Sequence, residues 1–148
     1  MKIGVIGAGH VGGTLGRLWA KAGPELLFSS RHPDRLELLT RQAGVNARAG
    51  SVKAAAEFGE VILFSPPYWM TREALLAAGT ALQGKVIIDT RNPFLADLSG
   101  LAIPRGQSAV TELGRELPDS RVVKAFNTLP VQILAEESAR PHDERIAI

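Results

Sequence analysis

Cysteine is absent from the 148 residues. That excludes a disulfide framework, a thiolate nucleophile and a cysteine-ligated zinc site, so any redox chemistry here must be carried by a bound cofactor. Nor does any His or Asp spacing suggest another metal site. No run approaches the ~18 consecutive apolar residues that a membrane-spanning helix needs. The opening Met1-Lys2-Ile3-Gly4-Val5-Ile6-Gly7 is too short and too glycine-rich for a signal-peptide core. A cytoplasmic protein with no membrane partner is therefore expected. Charge of one sign is also lacking: 17 Lys and Arg stand against 15 Asp and Glu, for a formal net charge of +2. Because the basic residues are scattered among acids, no nucleic-acid footprint is visible.

What is there is the composition of an ordinary globular domain, 45% apolar and 22% charged. The length suits one domain with a sizeable core. Short apolar runs alternate with segments of helical period. Candidate strands are Lys2 to Ile6, Leu26 to Ser29, Val45 to Ala47, Val61 to Phe64, Val86 to Asp89 and Val122 to Phe126. They are rich in branched residues and lack strict polar alternation, as expected when helices cover both faces of a parallel sheet. Val11, Leu15, Leu18, Trp19 and Ala22 form one helical stripe, ended by Gly23-Pro24. Leu36, Leu39 and Ala43 form a second, closed by Gly44. A third carries Ala74, Leu75, Ala78 and Leu82, with Thr71 as its candidate cap and Gly84 as its end. The pattern predicts an α/β fold of the Rossmann type over residues 1–148: a doubly wound, mostly parallel sheet in a single domain.

The sharpest chemical signal is Gly7-Ala8-Gly9-His10-Val11-Gly12. This G-x-G-x-x-G stands at the end of a buried strand and the start of an amphipathic helix, the context in which it binds a dinucleotide. Gly7 permits the tight turn, Gly9 leaves room for a pyrophosphate against bare backbone, and Gly12 lets the helix lie close on the sheet. Free N–H groups at the helix start then face the anion. His10 either shapes the loop or donates a ring N–H toward phosphate.

The tip of the second strand selects the dinucleotide. A site for NAD places a carboxylate about 20 residues past the glycines, to accept from the ribose hydroxyls. Here the strand ends in Ser29-Ser30-Arg31-His32-Pro33-Asp34-Arg35, with no carboxylate at its tip. Ser30 can donate to a phosphate, Arg31 offers a planar fork, and Arg35 is placed to turn toward the same spot. The cofactor expected is NADP(H). Two charge-assisted contacts of ~1.5–2 kcal/mol each would favour it over NADH by about a hundredfold or more. The alternative is that both arginines are solvated charges at a helix start, with Asp34 as their partner.

Four segments together give the chain a family likeness: Ile3 through Gly12, Ser29-Ser30-Arg31, Ile87-Ile88-Asp89-Thr90-Arg91-Asn92-Pro93, and Val122-Val123-Lys124-Ala125-Phe126-Asn127-Thr128-Leu129-Pro130. On these the chain resembles the NADP oxidoreductases dependent on coenzyme F420, a deazaflavin, and the related reductase domain of STEAP-type ferric reductases. The resemblance implies hydride transfer between NADP(H) and a second redox partner: coenzyme F420, a flavin or ferric iron. It places Ser65, Pro66 and Pro67 beside the ribose and nicotinamide, Asn92 after the next strand, and Ala125 and Asn127 at the border of nicotinamide and acceptor. The residues themselves allow this without requiring it. Asn92 and Asn127 offer amides for a carboxamide but are also ordinary turn residues, and Tyr68-Trp69 either flanks the site or covers the core.

No catalytic side chain is expected, because hydride transfer to a two-electron acceptor relies on position and electrostatics. The carboxylates Asp89, Glu112 and Glu116 are expected to be structural or solvent-facing. Family members continue through a further strand and helices, and Arg145-Ile146-Ala147-Ile148 reads as the opening of that strand. The chain is then either a shortened protein or a fragment, and a second subunit would complete the acceptor side, so a homodimer is expected. A second function class stays open: a catalytically silent NADP(H)-binding sensor or subunit.

Overall fold

A computed structural model of the chain describes residues 1–137 and 140–141. The expected strand at Arg145–Ile148 lies outside the described residues. Six strands, β1 (Lys2–Ile6), β2 (Glu25–Ser29), β3 (Ala47–Gly50), β4 (Val61–Phe64), β5 (Val86–Asp89) and β6 (Arg121–Lys124), form one sheet in the order β3-β2-β1-β4-β5-β6. Every pairing is parallel. The helices are α1 (His10–Lys21), α2 (Glu37–Ala43), α3 (Val52–Phe58), α4 (Thr71–Ala78), α5 (Ala109–Glu116) and α6 (Val131–Glu137). This is the doubly wound Rossmann arrangement that the sequence predicts.

Two apolar layers hold it together. Ile3, Val5, Leu26, Phe28 and Leu63 face Leu15 and Ala20 of α1, Ala43 of α2 and Leu134 of α6. Ile6, Ile62, Phe64 and Ile87 face Ala55 and Ala56 of α3, Ala74 and Ala78 of α4 and Leu113 of α5. Successive strand residues thus serve opposite layers, which is why no strand shows polar alternation in sequence. Chain order reverses at β1, since β2 lies to one side of it and β4 to the other. Ligands of open α/β sheets bind at the carboxyl ends of the strands beside such a reversal.

Four local expectations are corrected. The third strand is Ala47–Gly50 and not Val45 to Ala47. Val45 is fully exposed in a turn closed by the Ala47 N–H on the Gly44 carbonyl at 3.1 Å, and pairing starts only at Leu26 with Ala47. The last strand ends at Lys124, because Phe126 takes a left-handed φ of 58° that turns the chain out of the sheet. The third stripe stops being α-helical at Ala78, where Gly79 at φ 60° starts a 3-10 turn to Leu82. Thr71 is the first residue of that helix and not its cap, and its hydroxyl donates to the Tyr68 carbonyl. A helix not predicted, α3, is capped by Ser51, whose side chain accepts from the Ala54 N–H at 3.1 Å.

Candidate functional site

Between β1 and α1 the chain turns through Gly7-Ala8-Gly9, and each glycine answers a different constraint. Gly7 has φ of 90°, and a methyl there would also lie 2.5 Å from the Pro66 nitrogen. A methyl on Gly12 would lie 2.2 Å from the Gly7 carbonyl oxygen, so α1 reaches the loop only without one. Gly9 differs: a methyl there meets no protein atom within 4 Å. The space in front of Gly9 is open.

Gly9 is also the N-cap of the 12-residue α1, with no side-chain capping bond and no acid in the first turn. The N–H groups that a helix start leaves unpaired are thus neither satisfied nor neutralised by the protein. A cradle that a methyl would fill, facing an uncapped helix N-terminus, fits the pyrophosphate of a dinucleotide.

Around this point lies a cleft of about 520 Å³. Gly7, Ala8 and Gly9 line it on one side, Ser30 and Arg31 on a second, Pro66 and Pro67 on a third. Seven of the predicted residues are thereby gathered at the carboxyl ends of β1, β2 and β4. Ser29 fixes the strand tip: fully buried, it donates its hydroxyl to the Val5 carbonyl at 2.8 Å, tying β2 to β1. Ser30 accepts the His32 N–H at 3.1 Å, which leaves its hydroxyl hydrogen free to donate.

His10 and Arg35 line an adjoining cleft of about 470 Å³ together with Thr14, Arg17 and Gln42, and the two clefts meet at Ala8, Gly9 and Leu36. The two arginines expected to share a phosphate, Arg31 and Arg35, are therefore split across a shared rim. Arg17, which the sequence did not single out, is held by a bond to the Gln42 side-chain oxygen at 3.1 Å. Val11 and Gly12 lie in the first turn of α1. Ser65 donates its backbone N–H to Ile6 at 2.8 Å and lines neither cleft.

Past β5 and β6, Asn92 and Asn127 bind each other: the Asn92 amide donates to the Asn127 carbonyl at 3.0 Å, and the Asn127 amide donates to Asn92 Oδ1 at 3.2 Å. Ala125 donates its N–H to the Asp89 carbonyl at 3.1 Å. None of these three residues lines either cleft. The ion cluster beneath them was legible only as a lone carboxylate at a strand end. Asp89 is completely buried and takes the Arg91 Nε–H at 2.7 Å, while Lys124 Nζ lies 3.5 Å from its other oxygen. Desolvation pushes the Lys124 ammonium below its ordinary pKa, with Asp89 opposing and Arg91 adding to the shift. The Arg91 guanidinium lies over the rings of Phe64 and Tyr68 and bonds to the Thr71 hydroxyl.

A different cleft, of about 800 Å³, runs between α4 and α5. There the Tyr68 hydroxyl donates to Glu112 at 2.6 Å. Burial first, and then this bond to a carboxylate, push the Tyr68 pKa up to about 12. Glu112 thus serves as the acceptor of the Tyr68 phenol. Trp69 is half exposed and borders both this cleft and the glycine cleft. Sequence reasoning passed over Leu36, Met70, Glu73 and Ala77, all of which line the glycine cleft. Leu36 shows in the sequence only as part of the second apolar stripe, and Met70, Glu73 and Ala77 only as neighbours of the third.

The family NADP oxidoreductase coenzyme F420-dependent matches residues 2–93, from β1 through the Asn92-Pro93 turn. The chain belongs to this family. An F420-dependent NADP reductase of Methanothermobacter marburgensis is 30% identical over 151 aligned positions, covering 92% of this chain and 67% of the relative. A crystal structure from Arthrobacter sp. FB24, provisionally assigned as an F420-dependent NADP reductase, superposes with a TM-score of 0.81 at 26% identity, covering 90% of this chain and 65% of that one. A hypothetical protein from Sinorhizobium meliloti gives 0.76, also at 26% identity, covering 91% and 65%. The F420-dependent family member described here thus spans about two thirds of the length of these relatives. Among its described residues no helix is long and apolar enough to cross a membrane, and no group of three or more His, Cys, Asp or Glu could hold a metal ion.

Proposed function

We infer that the chain binds NADP(H) along the glycine cleft and exchanges a hydride between its nicotinamide and coenzyme F420. The carrying observation is the open, uncapped α1 terminus at Gly9, beside a strand tip that offers Ser30 and Arg31 and no carboxylate. The bound nicotinamide supplies the hydride; the protein supplies position. Backbone N–H groups at Gly9, His10 and Val11 hold the diphosphate, with His10 adding a ring donor from the adjoining rim. Ser30 and Arg31 take the 2′-phosphate, assisted by Arg35 from that same rim.

The proline pair Pro66-Pro67 forms a stiff wall after β4 and restricts where the dinucleotide can lie. Ser65 seats that wall through its bond to β1. Asn92 and Asn127 clamp the ends of β5 and β6 together, and with Ala125 they form the edge toward the nicotinamide. The Asp89–Arg91–Lys124 cluster below keeps that edge rigid. The hydride passing between two coenzymes needs alignment, and the proton that completes reduction of the deazaflavin would come from solvent, so no side chain is assigned to carry it.

Arg31 is more than half exposed, and at such positions a charge contact contributes nearer ~0.2–1 kcal/mol. The preference for NADPH over NADH then falls to about tenfold, below the hundredfold that the sequence suggested. Stopped-flow oxidation of NADPH with F420, flavins and ferric complexes tests the whole reading. Rapid oxidation with F420 and not with the others is expected. Saturable NADPH binding with no turnover on any acceptor would replace the enzyme by a silent binding module.

A further inference from the structure

The strand tip of β2 bears no carboxylate, yet the cleft contains one. Glu73 reaches it from the first turn of α4, a different element on the far side. Its Oε1 lies 3.7 Å from Arg31 Nη1, and the two side chains are 55% and 68% exposed. The pair spans the cleft where the 2′-phosphate would enter. Arg35, on the adjoining rim, has no ion pair among the described residues.

We propose that Glu73 is a specificity-determining residue that restrains the preference of this cleft for a 2′-phosphorylated dinucleotide. The proposal rests on the reading of the glycine cleft as an NADP(H) site. In the free protein a Glu73 carboxylate oxygen already stands 3.7 Å from the Arg31 guanidinium, so that arginine enters the cleft with a carboxylate beside it. A 2′-phosphate brings close to two negative charges to a guanidinium whose other side faces a carboxylate. It must either displace Glu73 or share Arg31 with it, and both weaken the contact. NADH has a hydroxyl there and is spared the repulsion. The carboxylate therefore acts on the ratio of the two affinities and leaves the shared adenosine and diphosphate contacts alone. An exposed charge pair of this kind shifts affinity by about two- to threefold for each unit of charge, so a dianion should feel about five- to tenfold.

The test measures dissociation constants of NADPH and NADH for the wild-type protein and Glu73→Gln, at about 50 mM and about 500 mM salt. Gln keeps the size of the side chain, and the exposed position leaves folding intact, which an unchanged melting curve verifies. Glu73→Gln is expected to tighten NADPH about five- to tenfold and NADH less than about twofold at low salt, with most of the gain gone at high salt. An unchanged NADPH:NADH ratio overturns the proposal while leaving the NADP(H) site standing. Equal weakening of both nucleotides also overturns it, since Glu73 would then contact their common adenosine. Wild-type protein that takes up neither nucleotide removes the site and the proposal together.

Discussion

Alanine at Gly9 and alanine at Gly12 should fail in opposite ways. Gly9 has φ −79° and ψ −155°, which an L-residue can adopt, and a methyl there touches nothing. Losing a glycine N-cap and reducing the freedom of the unfolded chain are effects of about 0.5–1 kcal/mol each and opposite in sign. The folded protein should stay within ~1 kcal/mol of wild type, or about 2–4 °C in Tm for a chain of this size. Gly12→Ala instead puts a methyl 2.2 Å from the Gly7 carbonyl oxygen and 3.2 Å from Ser65 Cβ. Helix and loop must separate by about an ångström, an overpacking cost of ~1–3 kcal/mol and a fall of about 4–10 °C.

Binding inverts the order of severity. In the proposed binding mode the methyl of Gly9→Ala occupies the space where the diphosphate would meet backbone N–H groups. Two charge-assisted bonds of ~1.5 kcal/mol or more are then lost, raising the NADPH Kd by over about a hundredfold. Differential scanning fluorimetry without nucleotide, paired with titration of NADPH, reads both quantities on the same samples. A stable Gly9→Ala protein that binds NADPH within threefold of wild type would refute the placement of the diphosphate against Gly9. A Gly9→Ala protein that melts well below Gly12→Ala would refute the space measured there.

Two further perturbations probe the support beneath the site. Asp89→Ala leaves Arg91, 2% exposed, and Lys124 as uncompensated neighbouring cations; stability should fall by ~3–5 kcal/mol, seen as a Tm lower by about 10 °C or more. Tyr68 is the only tyrosine, so absorbance near 295 nm titrates it alone. Its midpoint should lie near pH 12, and Glu112→Gln should bring it down toward the ordinary value of about 10. Because folding raises this pKa, the stabilisation from the protonated phenol is complete below pH ~10 and is lost as pH climbs through about 12.

Much of this protein was legible in one dimension because its causes are local. Buried strands reveal themselves as branched runs, and helix ends as glycine and proline. The glycine loop is recognisable because its chemistry is backbone chemistry, concentrated within six consecutive residues. That Ser30 and Arg31 line the glycine cleft follows from their place at the tip of the strand next to it. The third strand was misplaced because Val45 has strand propensity without a partner, and pairing with Leu26 decides instead in favour of Ala47. The left-handed Phe126 could not be anticipated, since nothing local in a phenylalanine asks for it.

The sequence by itself determined the doubly wound fold, the tight glycine turn from Gly7 to Gly12 and the absence of a carboxylate at the Ser30-Arg31 strand tip. Only the tertiary structure decided what stands opposite them. It separates Arg31 and Arg35 onto two clefts, pairs Asn92 with Asn127, buries Asp89 between two cations, and brings Glu73 from 42 residues further along the chain to within 3.7 Å of Arg31. The physical reason is one of range. Backbone turns and helix starts are fixed by neighbouring residues, whereas a charge is neutralised by whatever the packed helices place beside it.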